Sequence, residues 1–134
     1  MSTQDLFGLK SNDLEAARAV VERAFGLALE PRHSSYRGGD YYSNRLDNQD
    51  EIILQLNNDG EEGGWAEEDY KDFGVLLSVY SPENGDRYQK ALVCANSGFV
   101  PLERSVTTPS RILRRMRYVD GKEEVYFEKQ LDAV

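Results

Sequence analysis

Apolar residues recur along the chain in two periods, and the clearest helical period lies near the amino end. Its apolar positions are Leu14, Ala17, Val21, Ala24 and Phe25. This spacing places one apolar stripe along a helix. Asn12 can accept a backbone hydrogen bond as the N-cap, Glu15 can complete a capping box, and Gly26 provides a C-terminal stop. The pattern therefore predicts a helix over about 13–25.

A second helix is predicted after Ser81-Pro82-Glu83, which combines a capping hydroxyl, a proline suited to the first helical position and an acidic side chain. Its apolar stripe comprises Tyr88, Ala91, Leu92 and Ala95. Gly98 closes the helix, and Gly85 allows a start one turn later. Cys94 adjoins the stripe and is expected to be buried.

Period-two alternation and short apolar runs predict strands around the helices. The predicted strands lie in 5–10, 27–42, 50–57, 75–80, 99–106, 112–119 and 123–129, and Gly38-Gly39 can form a turn or bulge within 27–42. Ile52, Leu54 and Leu56 should share one face of their strand. The run 75–80 is largely apolar on both faces, as expected of a central strand. Asp120-Gly121 is a two-residue hairpin signal.

The order of these elements is strand, helix, several strands, helix and further strands. It predicts an α+β fold, a mostly antiparallel sheet with two helices packed on one face. A length of 134 residues suits a single domain spanning 1–134.

Composition narrows the possible functions. Sixteen Lys and Arg against 24 Asp and Glu give a net charge of −8, which argues against nonspecific binding to nucleic acid or an anionic membrane. One His and one Cys are too few for a zinc cage, so no metal and no other cofactor is expected. No apolar run reaches the ~20 residues of a membrane span, and the amino end lacks a secretory pattern. A cytoplasmic protein is the expectation.

Negative charge is concentrated between residues 47 and 72. The acids of this window are Asp47, Asp50, Glu51, Asp59, Glu61, Glu62, Glu67, Glu68, Asp69 and Asp72. Lys71 is its single cation, and four glycines lie between 58 and 74. This composition predicts a solvated loop.

Trp65, the only tryptophan, stands among these acids, and Tyr70 and Phe73 follow it. Trp and Tyr often anchor interfaces, and clustered carboxylates accelerate encounter with a cationic protein. Two interpretations remain open: a loop that only keeps the protein soluble, with Trp65 tucked into the core, or a docking surface for a basic partner. The candidate binding residues are Asp59, Glu61, Glu62, Trp65, Glu67, Glu68, Asp69, Tyr70 and Asp72.

Positive charge is concentrated towards the carboxyl end. The cations there are Arg104, Arg111, Arg114, Arg115, Arg117 and Lys122, opposed by Asp120 alone up to residue 122. Alternation puts Arg115 and Arg117 on one strand face and Arg114 on the other. These arginines can discourage edge-to-edge aggregation or pair with glutamates across the predicted hairpin.

Signals for catalysis are weak. His33 is the sole histidine, and its neighbours Ser34 and Ser35 cannot both share its strand face. No serine lies in a G-x-S-x-G turn, and Arg37-Gly38-Gly39-Asp40 lacks the lysine and spacing of a phosphate loop. Counting acids does not exclude a catalytic carboxylate pair, but a glycine-rich loop is a poor place to shift a pKa by burial. No active site is predicted.

Several segments within residues 5–80 form a familiar combination. They are Asp5-Leu6-Phe7-Gly8-Leu9, Ala24-Phe25-Gly26, Ser35-Tyr36-Arg37-Gly38-Gly39-Asp40-Tyr41-Tyr42, Glu51-Ile52-Ile53-Leu54-Gln55-Leu56-Asn57 and Phe73-Gly74-Val75-Leu76-Leu77 after the acidic run. In these segments the chain resembles small bacterial immunity proteins of polymorphic-toxin and contact-dependent growth inhibition systems. The basic region after residue 104 lies outside the resemblance.

The resemblance implies a protein that is not an enzyme and that binds and blocks a cognate toxin C-terminal domain, often a nuclease, delivered by a neighbouring cell. A nuclease site must be cationic to hold phosphates, so an acidic protein surface can bind to it and block it. No direct binding to nucleic acid or to a membrane is expected. The alternative is a small-molecule-binding α+β domain of the glyoxalase-like type, with Tyr36, Tyr41, Tyr42 and Tyr80 lining a cavity. Such modules usually bind a metal through His and Glu, for which one His is too few.

Overall fold

Strands and helices follow one another in the predicted order, except for two short strands in the stretch predicted to be a loop. A computed structural model describes residues 1–34, 39–46, 48–59, 64–83 and 85–131. Its elements are β1 (Ser2–Leu9), α1 (Leu14–Phe25), β2 (Glu30–Ser34), β3 (Gly39–Arg45), β4 (Glu51–Leu56), β5 (Asn58–Asp59), β6 (Gly64–Trp65), β7 (Val75–Ser81), α2 (Asp86–Cys94), β8 (Val100–Thr107), β9 (Ile112–Val119) and β10 (Lys122–Gln130). One turn of 3-10 helix, Glu68–Tyr70, lies between β6 and β7.

Eight strands form one antiparallel sheet in the order β10-β9-β8-β1-β7-β4-β3-β2, and β5 pairs with β6 in a separate ribbon. β7 lies between β1 and β4, as its two apolar faces predicted. Ile52 and Leu54 of β4 lie opposite Val79 and Leu77 of β7, on the side of the sheet that faces the helices. The predicted strand face of β4 is therefore confirmed.

Both helices pack on the same face of this sheet and close one hydrophobic core. The core includes Phe7, Ala17, Val21, Ile52, Leu54, Leu77, Val79, Tyr88 and Leu92. The Phe25 and Tyr88 rings meet edge to face with centroids 5.0 Å apart, which joins α1 to α2. The α+β fold with two helices on one face of a mostly antiparallel sheet is thus confirmed.

The ends of α1 agree with the sequence except for the identity of the N-cap. Asp13, not Asn12, caps the helix, because its carboxylate accepts a hydrogen bond from the Ala16 N–H at 3.0 Å. Gly26 ends the helix in the left-handed region at φ 67°, as predicted.

The helix α2 begins at the later of its two predicted starts, one turn after Ser81-Pro82-Glu83, and the predicted burial of Cys94 is wrong. Ser81 is the last residue of β7, where it pairs with Thr3 of β1, so the chain is still extended at that point. The helix begins one turn later at Asp86, with Gly85 as N-cap. Cys94 is exposed because it lies beside Val93 on the outer flank of α2, away from the core residue Leu92.

Candidate protein-binding surface

Asn57, a buried residue at the end of β4, organises the chain that follows it. Its side-chain amide donates hydrogen bonds to the carbonyls of Tyr70 at 2.9 Å, Phe73 at 3.0 Å and Glu67 at 3.3 Å. Its side-chain oxygen accepts from the Glu67 N–H at 2.8 Å. One side chain therefore fixes three points of residues 58–74, which we call the acidic segment.

The acidic segment has regular structure, which corrects the prediction of a solvated loop. β5 and β6 pair Asn58 with Trp65, and the 3-10 turn follows. Phe73 then packs so closely over Gly8 of β1 that an added Cβ there would lie 2.7 Å from the Phe73 ring. The composition of the segment suggested a loop surrounded by solvent. In the structure, the buried amide of Asn57 and the ring of Phe73 hold the segment against the rest of the protein.

The structure divides the nine candidate binding residues into three groups. Glu67, Glu68, Asp69 and Asp72 are exposed along the 3-10 turn and just beyond it. Trp65 and Tyr70 are half-buried, so Trp65 is neither fully exposed nor tucked entirely into the core. Asp59 lies in β5, and Glu61 and Glu62 lie outside the described residues.

Two other acids of the window have structural roles. Asp50 is buried and accepts hydrogen bonds from Tyr88 and Arg87 of α2, as well as one from Asn48 at 3.1 Å. Glu51 accepts from Arg45 at 2.5 Å. Among the acids of the window whose side chains the structure describes, those of the 3-10 turn and its surroundings are therefore the ones exposed to a partner.

The acidic segment covers one end of the sheet face opposite the helices, which we call the open face. Gln4 of β1, Tyr80 of β7, and Glu103 and Ser105 of β8 belong to this face by register. Arg117 and Arg115 of β9 lie opposite Glu103 and Ser105, on the same face. The open face is therefore polar, with both signs of charge close together.

Tyr70 connects the acidic segment to the basic part of this face through Glu103. The Tyr70 phenol lies near the carboxylate of Glu103, which accepts a hydrogen bond from the Tyr126 hydroxyl at 3.2 Å. The Arg117 guanidinium stacks 4.1 Å from the centre of the Tyr126 ring. Burial raises the pKa of Tyr70, and the charge of Glu103 raises it further, so the phenol stays protonated as a hydrogen-bond donor.

The charge of Glu103 also affects the pKa of Glu67. Although the residue as a whole is exposed, desolvation of its carboxyl group raises its pKa, and the neighbouring charges of Glu103 and Asp69 raise it further. A cation brought close to this cluster would relieve that repulsion. The cluster therefore favours a positively charged ligand.

A concavity of about 380 Å³ adjoins this cluster on the open face. Its lining includes Gln4, Tyr80, Glu103, Arg115 and Tyr126. A second one of about 440 Å³ lies across β2, β3 and β4, lined by Arg32, Tyr41, Arg45 and Glu51 among others. Both are open and polar, as expected of a surface that meets another protein rather than of an enclosed apolar ligand site.

Sequence reasoning missed Glu103 and Tyr126, and it did not connect Arg115 and Arg117 with the acidic segment. The strand alternation correctly put Arg115 and Arg117 on one face, but the acidic segment lies some forty residues away along the chain. Only the order of strands in the sheet brings β8, β9 and β10 beside it. The two-residue spacing of Arg115 and Arg117 was the only sequence signal that pointed to this face.

Of the residues considered for catalysis or small-molecule binding, His33, Tyr41 and Tyr42 line one concavity of about 350 Å³ on β2 and β3, and Tyr80 lies at a different one. His33 is exposed on β2, with Nδ1 2.9 Å from the carboxylate of Asp40. Tyr42 is buried on the helix side, whereas Tyr41 and Tyr80 line separate concavities of the open face. Tyr36 lies outside the described residues. In the part of the chain that the structure describes, no group of three His, Cys, Asp or Glu side chains is placed to hold a metal.

No family model matches this chain, and no curated protein or solved structure matches it. None of the helices within the described ranges is long and apolar enough to cross a membrane. The residues of the chain itself therefore carry the proposal that follows.

Proposed function

We propose that this chain is an immunity protein, without enzymatic activity, that binds and neutralises a cognate toxin domain through the acidic segment. The observation that carries the proposal is the fixed 3-10 turn, from which Glu68, Asp69 and nearby Asp72 project into solvent while Asn57 holds the backbone beneath them. Carboxylates presented in this way suit a basic protein surface.

Rigidity supports a role in recognition. A partner that binds a mobile loop must offset the entropy lost when the loop is ordered, and a preorganised loop avoids most of that cost. The four hydrogen bonds of Asn57 provide this order before any partner arrives. Solubility alone would need charge but no such fixed backbone.

Trp65 and Tyr70 supply the apolar part of the surface. Both are half-buried, so each keeps a fixed position and still presents part of its ring to a partner. Aromatic side chains held in this way are typical of the few residues that dominate binding energy. The exposed acids around them would steer the encounter and form the rim.

The neighbouring arginines supply selectivity. Arg115 and Arg117 adjoin the acidic segment across Glu103, so a uniformly cationic partner would be attracted at one end of the open face and repelled at the other. The partner is therefore expected to carry a local basic patch, as a nuclease active site does, within a surface of mixed charge. We place the encounter in the cytoplasm.

The proposal is tested by co-purification with any toxin domain that a neighbouring gene encodes, comparing two charge-reversed triple variants. Glu68→Lys/Asp69→Lys/Asp72→Lys should weaken binding by about a hundredfold or more and remove most of its salt dependence. The matched control, Glu30→Lys/Asp40→Lys/Glu83→Lys, changes net charge equally on exposed acids elsewhere and should leave affinity within about threefold.

Equal losses in both triple variants would show that net charge, not the acidic segment, governs binding. Unchanged affinity in the first variant at low salt would remove the acidic segment from the interface. Failure of the toxin domain to bind the natural chain at all would overturn the proposed function itself.

A further inference from the structure

β10 forms one edge of the eight-stranded sheet and is unusually accessible. It is nine residues long, longer than any other strand of the described chain, and every residue in it is exposed. Its centre is apolar, with Val125 50%, Tyr126 42% and Phe127 40% exposed. The opposite edge, β2, has five residues and contains Pro31, which lacks a backbone N–H. The outer edge of β10 is therefore better suited than that of β2 to form backbone hydrogen bonds with another strand.

A bulge in β10 makes the strand symmetric about its own centre. Register places Glu124 and Phe127 on the open face, opposite Arg117 and Arg115, and shifts between Val125 and Phe127. Tyr126 lies on the open face as well, because its hydroxyl donates to Glu103. Tyr126 and Phe127, although consecutive, therefore lie on the same face of the sheet. The alternation of side chains between the two faces is interrupted at the peptide that joins them.

The faces of the flanking residues follow this symmetry. Glu124 and Lys129 both lie on the open face, whereas Val125 and Glu128 both lie on the helix side, opposite Met116 and Arg114. In a regular strand, residues separated by an odd number lie on opposite faces. Here the extra residue of the bulge brings each of these pairs onto one face.

We propose that a second copy of this chain pairs antiparallel with β10 about a two-fold axis through the Tyr126–Phe127 peptide. Tyr126 then faces Phe127 of the second copy, Val125 faces Glu128, and Glu124 faces Lys129. Each pair lies on one face and occurs twice. A cross-strand aromatic pair at the axis flanked by opposite charges is favourable pairing.

The bulge explains why the occupant is a copy rather than another strand. A bulge protects an edge because an incoming regular strand cannot match it. An incoming β10 carries the same bulge at the same level, so each of its residues meets one that lies on its own face of the sheet. The same device thus rejects regular strands and admits the chain's own.

Backbone and charge agree with this pairing. Asp120 and Gly121, at φ 51° and 78°, form a hairpin turn closed by Val119 and Lys122. Along a strand, the backbone N–H and C=O groups of successive residues point alternately towards and away from the neighbouring strand. In β10 the backbone groups of Glu123 and Val125 therefore point away from β9. Because the bulge adds one residue, the next backbone groups that point away are those of Glu128 and Gln130. Residues 111–131 carry six cations and four anions, so this part of the chain lacks the excess of acids found in the rest of it.

The decisive test is sedimentation velocity of the isolated protein at rising concentration. The natural chain should move from 15.2 kDa towards twice that mass. Lys129→Glu places Glu opposite Glu124, and Glu124→Lys places Lys opposite Lys129, so each variant alone should dimerise about tenfold more weakly. An equimolar mixture of the two should recover the natural affinity, because every pair in the mixed dimer is again Glu with Lys.

Lys90→Glu, an equal charge change on α2, is the matched control and should dimerise as the natural chain does. Thermal unfolding of each variant shows whether it is folded, and the double variant Glu124→Lys/Lys129→Glu should also recover dimerisation. A mass that stays at 15.2 kDa overturns the proposal. So does a dimer that Lys129→Glu leaves unchanged, a mixture that does not recover, or growth beyond two copies. The test needs no toxin domain and is independent of the proposed function.

Discussion

The side-chain amide of Asn57 donates to the backbone carbonyl of Tyr70 across 2.9 Å, between residues thirteen positions apart. This contact joins the end of β4 to the 3-10 turn. It therefore helps to position the Tyr70 side chain beside Glu103. A buried amide with all its hydrogen bonds made is costly to remove, because the groups it served lose their partners inside the protein. The acidic segment depends on this residue more than on its own composition.

Asn57→Ala should therefore destabilise the protein and loosen the acidic segment. Loss of several buried hydrogen bonds should lower the free energy of unfolding by about 2–4 kcal/mol in urea. Trp65 fluorescence should shift to longer wavelength as the ring gains solvent. Asn44→Ala is the matched control, since Asn44 donates once, to Ala28, at an exposed site. Equal losses for the two variants would contradict the role given to Asn57.

Gly74 is needed for close packing at the end of the acidic segment. An added Cβ there would overlap the backbone carbonyl oxygen of Ser11 and the side chain of Asn12, before α1. Because a backbone atom cannot move aside cheaply, Gly74→Ala should cost about 3 kcal/mol in a urea unfolding measurement. Gly26→Ala meets open space and carries only the strain of φ 67°, so about 1 kcal/mol is expected. The reverse ranking would show that the packing at Gly74 is not tight.

Arg104 compensates a buried carboxylate. Its guanidinium donates to both oxygens of Asp5, at 2.6 and 3.1 Å, and to Asp86 at 2.5 Å. Burial raises the pKa of Asp5 even against the opposing effect of Arg104. Arg104→Ala should therefore cost about 3–5 kcal/mol of unfolding free energy, because it leaves that carboxyl group buried and unpaired.

Asp5→Leu/Arg104→Met should cost much less than Arg104→Ala, since no charge is then left alone inside the protein. Arg114→Ala is the control for a surface pair. Arg114 bonds Glu128 at 3.2 Å with both side chains about half exposed, and its loss should cost under about 1 kcal/mol. A double variant as unstable as Arg104→Ala would place the loss in packing instead of charge.

Asp50 gives the protein a defined sensitivity to acid. Burial alone would raise the pKa of Asp50, but hydrogen bonds from Tyr88, Ser81 and Asn48 and the charge of Arg87 together lower it. A carboxyl group with a lowered folded pKa stabilises the fold above its ordinary pKa of about 4, and this stability is lost as pH falls through the folded value.

Asp50→Asn should accordingly cost about 1–3 kcal/mol at neutral pH, and the difference from the natural chain should shrink below about pH 4. Urea unfolding at a series of pH values measures it. Glu51→Gln, in the neighbouring surface pair with Arg45, should show a much smaller difference. A gap between Asp50→Asn and the natural chain that is constant down to pH 2 would refute the ionic role of Asp50.

Local pattern was sufficient for most of the secondary structure. Helical spacing placed α1 to within a residue, period two found β4, an apolar run found β7, and the turn residues Asp120-Gly121 found the last hairpin. It failed at Ser81, because its pairing with Thr3 extends β7 beyond the point where a capping hydroxyl and proline suggest a helix. A local sequence pattern contains no information about a strand partner 78 residues away.

Residue type and period were enough to establish the fold class, the central place of β7 and the two opposed concentrations of charge. Tertiary structure alone decided that the acidic segment is clamped by Asn57, that Tyr70 meets Glu103 and Tyr126, and that the bulge aligns β10 about its centre. Such contacts join residues distant along the chain. They depend on strand order and register, which the pattern of one strand does not contain.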